Sequence, residues 1–334
     1  MLTPLLMLQI RLSQSLCLQG DFGKASYISR RISTDGGLQD FRLIPAEIPF
    51  KRVRDASRIL YSTAIAHKLA ARSSLTPAQI TGYILNSVSN NTLKLQDIGA
   101  FVSLSETASK TLLEPLLQDG TFQATHSGLI QVELSDRAIA GWLNWIIHQW
   151  GAGQLWEKGE GWQVNIARMD RRHGERTERW KNCEAETFAM QQTYARCCSL
   201  LQMAHREGVI TLSQPDAAPA LWQFMVPAWI PWLDGNIQLR LSHPSERSLI
   251  GQFFKVLDAT GDGSSQRSWN DCFCLAQQVC QGFQAFHRDR PIWHNIIEQS
   301  FDLAHAQFGL VMVTQRVLYH LLNQLMNIST PSEL

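Results

Sequence analysis

Cysteine and histidine are the residues most able to do chemistry here, and their spacing argues against it. The seven cysteines, Cys17, Cys183, Cys197, Cys198, Cys272, Cys274 and Cys280, include no CxxC pair and are odd in number. Several sit in apolar helical context, so buried, reduced thiols in a reducing compartment are expected. Cys272, Cys274, Cys280 and His287 contain the donor types of a zinc site, but their spacing matches no usual ligand pattern. The acidic stretch DATGDG (258–263) lacks the later Glu and the spaced ligands of a calcium loop. The chain has no GxxxxGK[ST], no GxGxxG after a strand, no GxSxG elbow and no HExxH. No catalytic residue, cofactor or metal is therefore predicted, and the protein is expected not to be an enzyme. An unrelated enzyme has no motif behind it.

Charge and aromatic clusters offer binding chemistry instead. The net charge of the 334 residues is only +1. Residues 1–150 carry 14 Lys/Arg against 11 Asp/Glu, whereas residues 182–334 carry 9 against 13. An acidic C-terminal part counts against broad, nonspecific nucleic-acid binding there, because such binding needs cations to neutralise phosphates. Between the two parts, ARMDRRHGERTERWK holds six Lys/Arg against three Asp/Glu. It reads either as a solvated linker or as an arm that binds phosphate or a partner. Trp222, Trp229 and Trp232 lie close together in a Trp-rich insertion (212–243) and read either as core or as an exposed partner site.

The elements that must position these groups follow from spacing. MLTPLLMLQIRLSQSLCL lacks a basic leader and is interrupted by Arg11, so an amphipathic first helix over 1–19 is predicted rather than a signal peptide. Gly20, Gly36, Gly37, Pro45 and Pro49 predict turns with short strands over 20–55. From Ala56 the spacing of Ile59, Leu60, Thr63, Ala66 and Leu69 predicts a helix. Thr76 as N-cap and Pro77 at the first helical position open a second one. Over 128–134, Leu129, Gln131 and Glu133 alternate with Ile130, Val132 and Leu134, which predicts a strand, and Ser135-Asp136 then caps a helix. Helices are predicted over 182–206, 244–259, 268–288 and 296–327. The longest apolar run, 220–233, is too short and too Pro-broken to span a bilayer, so a cytoplasmic protein without membrane contact is expected.

Four C-terminal segments then resemble, in order, the DALR anticodon-binding domain of arginyl-tRNA synthetases. MQQTYARCCSLLQMA is similar to the family's VQYAHARICSILRKA helix through Gln191, Ala195, Arg196, Cys198, Ser199, Leu201 and Ala204. LSHPSERSLIGQF resembles its Pro-x-Glu-x-x-Leu helix start through Pro244, Glu246 and Leu249. LAQQVCQGFQAFH resembles LAxxFNxFY through Leu275, Ala276 and Phe283. The terminus is similar to its closing helix and LLGISAPEKM tail through Arg316, Val317, Leu318, Leu325, Ile328, Ser329 and Pro331. Residues 57–146 resemble the family's additional N-terminal domain, where HSGLIQVELSD matches the strand that contacts the tRNA elbow. The resemblance implies an α+β N-terminal domain (1–150), a linker (151–181) and an all-α DALR-type helix bundle (182–334), predominantly helical overall.

The same resemblance implies what is missing. Only about 40 residues separate Leu143 from Glu184, where the synthetases carry a catalytic domain with His-Ile-Gly-His and Lys-Met-Ser-Lys-Ser type motifs, and neither motif occurs. Several ligand positions also depart from the family. Leu129 replaces an aromatic, Ile59-Leu60 replaces Gly-Asp, Gln192 replaces Tyr, Thr193 replaces Ala, Gln202-Met203 replaces Arg-Lys, Gln307 replaces Arg, and Leu334 replaces Met. Two readings follow. One is a noncatalytic tRNA-binding paralogue, for an arginine acceptor or an RNA shaped like one. Its backbone contacts would come from Arg52, Arg54, Arg58, Arg168, Arg171, Arg172, Arg176 and Arg179, and its base contacts from Gln131 and Gln192. Arg196 reads either as a structural donor or as a phosphate contact. The alternative is a repurposed DALR scaffold that docks another protein through Trp222, Trp229 and Trp232.

Overall fold

The computed structural model describes residues 3–16, 48–90 apart from 56, 72 and 74, 119–149, 184–261, 268–290, 292 and 301–333. The chain divides into two compact units, Met1–Gly141 with Leu257–Gln266, and Trp142–Val256 with Arg267–Leu334. The protein is predominantly helical, and its described residues form one small four-stranded sheet and a two-stranded ribbon.

The first unit opens with α1 (Pro4–Leu16), whose Ile10 and Leu12 are fully buried. Strands β1 (Phe50–Arg52) and β2 (Leu60–Thr63) precede the short α2 (Ile65–Ala70) and α3 (Pro77–Asn90). Strands β3 (Gly120–Ala124) and β4 (Ile130–Leu134) follow, and then α4 (Asp136–Gln149), whose residues from Trp142 onward belong to the second unit. The sheet is antiparallel with order β1-β2-β4-β3. Tyr61, Thr63, Ile130 and Val132 share its buried face, α3 packs on β3, and α1 packs on α3.

Local chemistry explains the helix starts. Thr76 Oγ1 accepts from Gln79 N at 3.3 Å while Gln79 Oε1 accepts from Thr76 N at 2.9 Å, a reciprocal capping box beside Pro77. Ser135 Oγ accepts from Ala138 N at 3.1 Å and starts α4.

One predicted helix is corrected. The spacing from Ala56 predicts a continuous helix, but the chain forms β2 and turns helical only at Ile65. Tyr61 and Thr63 are aromatic and β-branched, and β2 pairs on both sides, with β1 and β4. Two ladders outweigh the marginal helix propensity of so short a segment.

The second unit is built on helices. Their order is α5 (Glu184–Arg206), α6 (Pro244–Gly261), whose residues from Leu257 onward belong to the first unit, α7 (Trp269–Asp289) and α8 (Phe301–Tyr319). Between α5 and α6 lies the ribbon of β5 (Thr211–Leu212) and β6 (Phe224–Val226). Helix α8 is the core of this unit: every residue from Ala306 to Leu318 is buried. It passes into one π-helical turn, His320–Leu325. Asn327, at φ +56°, ends the turn, and Ile328 N donates to Leu322 O at 2.7 Å. Helix α7 starts on a second capping box, Ser268 with Asp271.

Gly309 is where α8 and the insertion touch most closely. A Cβ there would stand 2.6 Å from Trp232 Cη2 and 3.0 Å from Ile230 Cγ2. Only glycine lets the indole lie on the helix backbone.

Among the described residues, no helix is long and apolar enough to cross a membrane, and no three His, Cys, Asp or Glu side chains gather to hold a metal ion. Cys197, Cys198, Cys272 and Cys280 are buried, whereas Cys274 is exposed. Burial pushes the thiols of Cys198 and Cys280 up to about 12, which keeps them protonated and inert. Cys17 and Cys183 lie outside the described residues.

Candidate nucleic-acid interface

Antiparallel register sets which side chains share a sheet face. Lys51 faces Ser62, Ser62 faces Gln131, and Gln131 faces Gln123. This polar row crosses all four strands on the face opposite Tyr61 and Val132. Lys51 and Gln123 are exposed, while Ser62 and Gln131 are half-buried. The neighbouring row on the same face runs Leu60, Glu133, Thr121. Among the described residues the amides of Gln123 and Gln131 form no hydrogen bond, so both are available to a ligand.

The β3–β4 hairpin beside this row is braced from beneath. His67 Nε2 meets Ser127 O at 2.7 Å, and Thr81 Oγ1 donates to Gly128 O at 3.0 Å. Thr125 Oγ1 accepts from Leu129 N at 3.0 Å. Gly128 sits at φ +78°, and a Cβ there would meet Pro77 Cβ at 3.2 Å. Helices α2 and α3 thus hold the hairpin in one shape, leaving His126 and Ser127 exposed at its tip.

The predicted cations of this unit separate by face. Arg58 shares the outer face with Gln131. It pairs with Glu133 at 3.5 Å and with Asp55 at 3.3 Å, and remains about half exposed at 55%. Asp55 is held down to about 2 by the backbone N–H groups of Ser57 and Arg58 and by their side chains. Arg54 is exposed. Arg52 lies on the opposite face, because its register partner is the buried Tyr61. There Tyr61 OH donates to Asp258 at 2.8 Å. Burial first, then the Asp258 charge, push the phenol well up, while the Arg52 charge opposes them. Arg52 therefore belongs to this buried cluster and not to the face that carries Gln131.

In the second unit, Gln192 and Arg196 are both exposed, one turn apart on α5. Arg196 Nη2 donates to His287 Nε2 at 2.8 Å. A guanidinium only donates, so His287 is neutral at that nitrogen. Burial and the Arg196 charge both lower its pKa. Its ring stacks on Phe283, centroids 6.0 Å apart. Arg196 is thus positioned by the imidazole while its charge stays uncancelled by any carboxylate there. Gln191 Nε2 donates to Ser329 O at 2.8 Å, joining the first and last segments of the unit.

Arg316 has a different role. It is fully buried, and its guanidinium donates to the carbonyls of Pro219, Ala220 and Trp222. Burial lowers its pKa to about 10, so it stays charged at neutral pH. It fastens the insertion to α8.

That insertion corrects the predicted aromatic site. Trp222 and Trp232 are buried: Trp222 Nε1 donates to Ala217 O at 3.1 Å and Trp232 Nε1 to Asn144 Oδ1 at 2.8 Å. Their indoles satisfy the core and are closed to a partner. Trp229 alone of the three is exposed, at 73%. Arg168, Arg171, Arg172, Arg176 and Arg179 lie outside the described residues.

Residue types alone did not single out Lys51, Ser62 and Gln123 as neighbours of Gln131. The alternation of GTFQA around Phe122 and of LYST around Tyr61 carried the signal. No known family, characterised protein or solved structure matches the chain.

Proposed function

We propose that the protein is a noncatalytic RNA-binding protein that holds tRNA, an arginyl-tRNA synthetase-like chain without the enzyme. The observation that carries this reading is the row Lys51–Ser62–Gln131–Gln123 on an open sheet face. It combines one cation with two amides that nothing internal engages. Single-stranded bases are read through edge hydrogen bonds and stacking, with cations on the backbone. Leu129 supplies no aromatic ring, so this face would recognise by hydrogen bonding more than by stacking. On α5, Gln192 and Arg196 repeat the pairing of amide and cation, and the DALR-like segments around them support an anticodon-loop role for that unit.

The test is filter retention of total cellular tRNA at about 50 and 200 mM salt, where a grip on six to ten phosphates loses roughly 10³-fold or more. Saturable, salt-steep retention is the expected result. Gln131→Ala combined with Gln123→Ala should weaken binding about tenfold without flattening the salt slope, whereas Lys51→Glu should reduce the slope by about one. Absence of retention at low salt would overturn the proposal.

A further inference from the structure

The insertion between α5 and α6 is apolar on its inward side for reasons of packing. Its exposed residues include large apolar ones that packing does not explain. Among the described residues, nine large hydrophobic side chains are exposed, and five of them, Leu221, Met225, Val226, Trp229 and Ile237, fall within this one insertion. Single exposed hydrophobics need no explanation, but their concentration in one segment does.

Ile237 adds an independent observation. The turn from Asp234 to Gln238 is fixed by Asp234 Oδ1, which accepts from Asn236 N and Gln238 N, each at 2.9 Å. Ile237 sits in it at φ +61° and is exposed. A β-branched residue is strained there, and Gly or Asn would hold the turn at lower cost. The isoleucine side chain contributes nothing to the core in return. It is presented to solvent.

Charge identifies the occupant. From Gly208 to Leu239 the chain has no Lys, Arg or His, and its charged residues are Asp216 and Asp234. Arg240, which follows, is tied to Asp302 at 2.8 Å. The exposed apolar residues thus lie in a stretch of chain whose only charges are acidic. Phosphate is repelled from such a surface, whereas a cationic apolar peptide is attracted. Strand β6 is paired with β5 alone in its sheet, so a peptide can also add backbone hydrogen bonds at the other edge.

We infer that the outward face of the insertion is a docking surface for a segment of another protein in which aliphatic or aromatic residues are interleaved with Lys or Arg, with Trp229 as its anchor. This inference is independent of RNA binding by the sheet face.

The experiment is selection of randomised displayed peptides on the immobilised full-length protein, followed by affinity measurement with the enriched peptides. Enrichment of cationic apolar sequences is expected. Trp229→Ala should weaken them by about tenfold or more, as for buried interface anchors, and Met225→Ser with Val226→Ser should also weaken them. Asp216→Asn should lower affinity less and reduce its salt dependence. All these positions are exposed, so the unfolding transition should stay in place and report an intact fold. The inference is overturned if no peptide is enriched, if enriched peptides are acidic, or if Trp229→Ala leaves their affinity unchanged. A concentration-dependent dimer abolished by Trp229→Ala assigns the face to a second copy and overturns it. A tRNA affinity that falls with Trp229→Ala assigns it to RNA, with the same consequence.

Discussion

Replacing Arg316 with Met removes the guanidinium but keeps most of the side-chain volume. Three carbonyls lose a donor, those of Pro219, Ala220 and Trp222, of which Pro219 O keeps a second, the backbone N–H of Trp222 at 3.3 Å. They do not lose it equally. Pro219 and Ala220 are half-buried and can turn to water, whereas Trp222 is 1% exposed and its carbonyl is stranded. One stranded buried acceptor costs about 1–3 kcal/mol, and imperfect repacking around a shape change adds about 1 kcal/mol. The expected loss is thus about 2–4 kcal/mol, read by urea unfolding. Its distribution is the sharper test. Amide exchange of peptides covering 211–233 should accelerate first, because Arg316 fastens that segment, while α5 and α8 keep near-native protection. Unchanged exchange in the insertion would refute the clamp. Equal loss of protection in α5 and α8 would show instead that Arg316 supports the whole helical unit.

Two further perturbations probe the same unit. Gly309→Ala places a methyl 2.6 Å from Trp232 Cη2; despite a helix-propensity gain of about 1 kcal/mol, it should destabilise by about 1–3 kcal/mol, and Trp232→Phe should recover part of that loss in a double-mutant cycle. His320 is buried, and its pKa falls from 6.5 to about 4. The unfolded chain therefore binds the proton first: the stability contribution is complete above pH 6.5 and is lost as pH falls towards 4, about 3 kcal/mol over the full window. His148 and His287 are lowered too and act with the same sign. His320→Gln should flatten the fall in denaturation midpoint over that pH range, and an unchanged pH profile would refute the assignment.

How much could be read in advance depended on how local the cause was. Thr76, Pro77 and Ser135 act within one helical turn, and their helices start where the sequence predicts. The alternation in β4 is likewise local, and Gln131 lies on the more open face as read. Strand β2 was misread because its stability comes from β4, whose Gln131 pairs with Ser62 across a long stretch of chain. Spacing within Leu60–Thr63 cannot report such a ladder. The tryptophans stayed open for a different reason: their type says only that they bury area or anchor a partner, and the core reading holds for Trp222 and Trp232 but not for Trp229. Ile230 and Trp232 alternate inward over Gly309, and that period-two signal would have left Trp229 outside. Arg316 is a cation in an apolar helix, but its acceptors are carbonyls in a segment far upstream, which no motif encodes.

The disposition of the arginines bears on how any RNA would be held. Arg58 is shared between two carboxylates, Arg240 is paired with Asp302, Arg290 lies 3.7 Å from Glu246, and Arg316 is spent on carbonyls. A cation already compensated releases few counterions when it meets a phosphate. Arg196 differs because its partner is a neutral imidazole, which orients the guanidinium without cancelling its charge. Lys51 and Arg54 are exposed on the first unit. Among the described residues such cations, Arg206 included, are few, and recognition there would fall to amides such as Gln131 and Gln192. The arginines between 168 and 179 would then supply most of the salt dependence. On this reading the sheet face and α5 contribute selectivity and the basic sequence of residues 168–179 contributes affinity.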